Sequence, residues 1–99
     1  MKLALYQGPP AQGDPEAALA RLDRQLRAAA AAGARMLVAP ELFLPGYNQP
    51  ALHGTLAQSQ GGDWFERLAE MAGQTGCGLT VGWAERAGEV VYNAATAFD

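Results

Sequence analysis

Apolar and polar positions fall in blocks along this chain, and each block points to one kind of element. Leu3 to Gln7 is a short, mostly apolar run closed by Gly8-Pro9-Pro10, the pattern of a buried strand and a loop through Gly13. Asp14-Pro15-Glu16 then opens a helix. The aspartate can accept from the first free amides, the proline stands where no amide is needed, and the glutamate adds negative charge at the positive end of the dipole. Leu19, Leu22 and Leu26 recur at helical spacing, continued by Ala29 and Ala30, while Arg21, Arg24 and Arg27 lie off that stripe. Asp23 and Arg27 are placed to pair on the exposed side, and Gly33 is the natural C-terminal cap.

Met36 to Ala39 is too short for a helix and suits a strand buried on both faces. A loop rich in polar residues runs through Gly62, after which Asp63 and Glu66 have the spacing of a capping box. The helix they open carries Trp64, Phe65, Leu68, Met71 and Ala72 on its apolar side and ends between Gly73 and Gly76. Gly78 to Ala84 and Val90 to Phe98 read as two further strands, joined through Glu85 to Glu89 as a hairpin. The predicted fold class is α/β, with order β-α-β-α-β-β and parallel strands where a helix intervenes. Two helices do not cover both faces of such a sheet. The sequence therefore reads as the opening of a larger fold, with 1–99 the N-terminal part of one incomplete domain.

Composition narrows the function classes. The 99 residues are 49% hydrophobic and 17% charged, too apolar for a disordered chain. A net charge of −3, with seven scattered basic residues, argues against a nucleic-acid or anionic-membrane surface. No apolar run approaches a membrane span or the core of a signal peptide. The single cysteine forms no internal disulfide, so the expected setting is the cytoplasm.

Glu41 is the leading candidate for chemistry. It directly follows an apolar strand, and ligands of parallel α/β sheets gather beyond the carboxyl ends of strands. Desolvation there would make a carboxylate a competent proton acceptor and donor near neutrality. The alternative is a solvated strand-end glutamate. Phe43 and Tyr47 are candidates to wall a substrate pocket, or else pack the turn against the second helix. His53 reads as an exposed loop histidine without a second metal ligand, and Cys77 as a small core residue. Asn93 reads as satisfying backbone groups, and Trp64 and Trp83 as core or interface aromatics. No metal site and no cofactor site is expected.

The segment Ala39-Pro40-Glu41-Leu42-Phe43-Leu44-Pro45-Gly46-Tyr47 resembles the first signature of the nitrilase, or carbon–nitrogen hydrolase, superfamily. Leu3 to Gln7 resembles that family's first strand, and Gly82 and Glu85 with Val91-Tyr92-Asn93-Ala94 resemble its strand pair after the second helix. The resemblance spans essentially the whole chain. It implies the N-terminal part of an α-β-β-α sandwich of the nitrilase type. It also implies a hydrolase of small linear amides, nitriles or N-carbamoyl compounds, acting through a Glu-Lys-Cys triad without a cofactor.

In that family Glu41 matches the general base. The lysine belongs to a Tyr-Arg-Lys-like segment and the cysteine to a Cys-Tyr-Asp-like turn, neither present in these residues. Lys2 and Cys77 do not match those motifs, so the 99-residue chain alone is expected to be inactive. The complete protein would be a homo-oligomer with a small amide or nitrile as its partner. The competing reading is a non-catalytic α/β binding module, or a gene remnant, sharing the opening topology.

Overall fold

The structure, a computed structural model, describes residues 1–8, 13–47 and 50–99. Seven elements follow in order: β1 (Leu3–Leu5), α1 (Pro15–Ala31), β2 (Met36–Val38), α2 (Pro50–Leu56), α3 (Asp63–Thr75), β3 (Gly78–Ala87) and β4 (Val90–Phe98). The sheet order is β1-β2-β3-β4, with the first three strands parallel and β4 antiparallel to β3. This is the mixed α/β arrangement expected from the sequence, with one short helix, α2, added in the stretch read as a loop. Pro50 occupies the first helical position there, but no residue of α2 is buried. Its apolar residues Leu52 and Leu56 are only half-buried.

Helix α1 starts and stops as its sequence dictates. Asp14 accepts from the Ala17 amide at 3.1 Å. At the other end Gly33, at φ 85°, lets its own amide reach Ala30 O at 3.0 Å and that of Ala34 reach Ala29 O at 2.9 Å. Those two bonds satisfy carbonyls the helix would otherwise leave open. Lys2 adds a third cap, donating from Nζ to Ala32 O at 2.7 Å, a favourable place for a cation. The start of α3 differs from the capping-box expectation. Asp63 lies inside the helix and receives Arg67, while Gln58 Oε1 accepts from the Trp64 amide at 2.8 Å. A side chain from the preceding segment thus does the work assigned to Asp63.

Both long helices lie on one face of the sheet. Leu19, Leu22, Leu26 and Ala29 of α1 join Trp64, Leu68 and Ala72 of α3 over Leu37, Leu79, Val81, Trp83 and Phe98 in one core. Phe65 packs edge-on against Phe98 with ring centroids 5.1 Å apart, and Trp83 Nε1 donates to Thr96 Oγ1 at 2.9 Å. The Trp83 indole is thus buried while its N–H is satisfied. The helices are tied across their surfaces by Arg67, which donates to Glu16 at 2.7 and 2.9 Å. Hydrogen bonding to Glu16 raises the Arg67 pKa above its ordinary value, against a smaller opposing effect of burial.

The opposite face is open over β1 and β2. Leu3 and Leu5 are 57% and 72% exposed, and Met36 and Val38 are only half-buried. The expectations of a buried first strand and of a second strand buried on both sides are therefore corrected. β1 is an edge strand, and the two long helices cover one face alone. The hairpin is also tighter than expected: Ala87 pairs with Val90, leaving Gly88 and Glu89 as a two-residue connection. Gly88, at φ 63°, supplies the positive dihedral at the first loop position.

Candidate active site

β3 is ten residues long but pairs with β2 only from Gly78 to Thr80. Its remaining edge on that side is occupied by loop backbone. Gly82 N donates to Pro40 O and Leu44 N to Gly82 O, both at 3.3 Å, and Ala84 N donates to Leu44 O at 2.9 Å. Further along, Gln58 N reaches Ala84 O at 3.2 Å and Arg86 N reaches Gln58 O at 2.7 Å. The turn after β2 is thus fastened to the sheet at both ends, with Glu41 at its crest.

That crest sits on the face opposite α1 and α3. Leu79, Val81 and Trp83 point into the helix-covered core, so Gly82 and Ala84 face the other way by strand alternation. The backbone of 40–42 passes directly over Gly82. A Cβ there would lie 2.6 Å from Leu42 N and 2.8 Å from both Glu41 Cα and Pro40 O, so only glycine admits the turn. Leu42 takes φ 47°, a left-handed dihedral costing a non-glycine residue roughly 1–2 kcal/mol. The Leu44–Pro45 peptide is cis.

Glu41 is exposed. What holds it is a hydrogen bond: Asn93 Nδ2 donates to Glu41 Oε1 at 2.5 Å. Asn93 stands opposite Ala84 in the β3–β4 ladder, on the same face as the turn. The sequence reading gave Asn93 backbone groups to satisfy; its amide instead serves the candidate carboxylate. The available signal was an asparagine inside a strand, where that residue type is disfavoured.

The other candidates separate. Phe43 is buried at 3% exposure, edge-on to Tyr6 with centroids 5.6 Å apart, while Tyr47 is 57% exposed. A cleft of about 360 Å³ next to the Glu41–Asn93 pair is lined by Leu42, His53, Tyr92 and Asn93, among others, and by neither Phe43 nor Tyr47. His53 is half-buried, contrary to the exposed reading, with Nε2 2.6 Å from Gly46 O. Cys77 is buried at 1% and precedes β3, at the end of the parallel strands opposite to Glu41. Lys2 lies at that same far end, on the terminus of α1. Neither side chain reaches the site. Among the described residues, no group of three or more His, Cys, Asp or Glu side chains is arranged to hold a metal ion, and no helix is long and apolar enough to cross a membrane.

A three-strand parallel sheet with an antiparallel fourth strand, and a glutamate raised over a glycine at the end of β2, define the opening of a carbon–nitrogen hydrolase fold. The chain belongs to the carbon-nitrogen hydrolase family, whose model matches residues 2–99. It is 39% identical over its whole length to a protein of Pseudomonas protegens described as a hydrolase in the pqqF 5′ region, and 31% identical over 96% of its length to a nitrilase of Pyrococcus abyssi. It covers 35% and 37% of those proteins, and corresponds to their N-terminal part. Among solved structures it resembles an amidase from Nesterenkonia sp., with TM-score 0.77 and 27% identity over 98% of this chain and 36% of the amidase. A glutamate-to-glutamine variant of that amidase carries acrylamide added at its active-site cysteine.

Proposed function

We propose that this chain supplies the general base, Glu41, of a hydrolase that cleaves C–N bonds in small linear amides, nitriles or N-carbamoyl compounds. The observation that carries the reading is the mounting of Glu41. A turn bonded at both ends to β3 raises the carboxylate over Gly82, and an uncharged amide holds one of its oxygens. A base needs a fixed position and a free lone pair, and Oε2 retains one.

In this reading a cysteine and a lysine outside residues 1–99 complete the site. With an amide substrate, Glu41 takes the thiol proton as sulfur attacks the carbonyl carbon, and the lysine stabilises charge on the oxygen. Glu41 returns the proton to the leaving nitrogen as the C–N bond breaks, and ammonia departs from a thioester. Water then gives a proton to Glu41 while attacking the thioester, and that proton returns to the sulfur as the acid leaves. Every proton passes through one carboxylate, so its loss should stop both halves of the reaction.

The test is Glu41→Gln in the complete protein, followed by ammonia release from propionamide, propionitrile and N-carbamoylalanine. Turnover should fall by about 100-fold or more, the usual scale of a general base, with the melting temperature unchanged. Wild-type rates in that variant would remove Glu41 from the role. The chain 1–99 alone should release no ammonia from any of the three.

A further inference from the structure

We infer that Asn93 is a positioning residue for Glu41, holding the carboxylate in the one orientation from which it can exchange a proton with its reaction partners. This rests on the base role proposed above and adds a second residue to it. Three observations converge on Asn93. Its amide makes the single side-chain hydrogen bond that Glu41 receives among the described residues, at 2.5 Å across 52 positions of sequence. Its backbone is fixed within the nine-pair β3–β4 ladder opposite Ala84, whose amide in turn donates to Leu44 O in the Glu41 turn. Donor and acceptor are therefore both mounted on β3. Finally, Asn93 occupies an exposed strand position, where a β-branched residue would fit the backbone better. A locally unfavourable residue whose side chain reaches a candidate catalytic group is the kind of inconsistency that marks function.

The chemistry favours an amide over a charged donor. A lysine or arginine at this position would pair with the carboxylate and weaken it as a base. A neutral amide fixes Oε1 by a directed bond, does not titrate, and leaves Oε2 for the proton. Asn93 and Leu42, the partner of Glu41 and its chain neighbour, both line a cleft of about 360 Å³.

The experiment is a mutant cycle in the complete protein, with ammonia release from the same three compounds. Asn93→Ala removes the donor, and Asn93→Leu removes it while nearly keeping the shape and adding no charge. Each should lower kcat by about 10- to 100-fold, the scale of a misplaced catalytic group, with KM within about 3-fold and melting behaviour unchanged. In a Glu41→Gln background, adding Asn93→Ala should cost nothing further, because residues acting as a unit are not additive. Undiminished kcat in both Asn93 variants, or an additive loss in the double variant, would overturn the positioning role and leave the base role standing. Wild-type turnover in Glu41→Gln alone would overturn the base role, and the positioning role with it. A loss confined to KM would assign Asn93 to substrate binding instead.

Discussion

The two faces of this sheet are stabilised by different physics. On one, Leu37, Leu79, Val81, Trp83 and Phe98 are no more than 8% exposed beneath two amphipathic helices, and apolar area removed from water carries the stability. On the other, Leu3 and Leu5 remain largely exposed, and the turn across Gly82 is held by backbone hydrogen bonds and by a side chain that is missing. The candidate chemistry lies on the second face. Packing builds a rigid floor, and the reactive group is set on the side that packing leaves open.

This contrast can be broken most forcefully at Trp83. Trp83→Ala should destabilise by about 3–5 kcal/mol through the lost burial and the cavity beneath α3, read as a shifted urea midpoint. Gly82→Ala attacks the other face. The added methyl meets backbone instead of flexible side chains, so about 1–3 kcal/mol of stability should go, and turnover of the complete protein should fall further than stability predicts. A Gly82→Ala protein with normal stability and rate would mean that the turn does not need its glycine. The smallest effect is expected at Leu5. Leu5→Thr should change the stability of chain 1–99 by no more than about 0.5 kcal/mol. In a longer chain that covers this face, the same substitution should cost about 1.5–3 kcal/mol, the worth of burying such a side chain. Equal costs in both would show that the face stays open.

What the sequence made legible follows the same division. The α1 stripe, the cap at Asp14, the Gly33 stop and the Val90–Phe98 strand are local patterns, each enforced by neighbours within a few residues. The position of Glu41 at a strand end was legible for the same reason. The cap of α3 was misassigned because Gln58 reaches it from outside the helix, and α2 was missed because it is only seven residues long and buries none of them fully. Asn93 escaped because its partner lies 52 positions away, and no periodicity encodes a contact of that kind. Gly82 was visible only as part of a family-like segment. Its necessity depends on which backbone passes over it, a fact of tertiary structure.

The same separation has a consequence in time. The ribosome delivers Glu41 long before Asn93, and 52 residues at roughly 5–20 residues per second is a wait of several seconds. During it the helix-covered core can begin to collapse, since α1 and β2 are already made. The carboxylate, though, has no holder until β4 emerges and zips along β3. The hold on the base is thus completed by the closing of the β3–β4 hairpin, the same event that sets Phe98 into the floor beneath it.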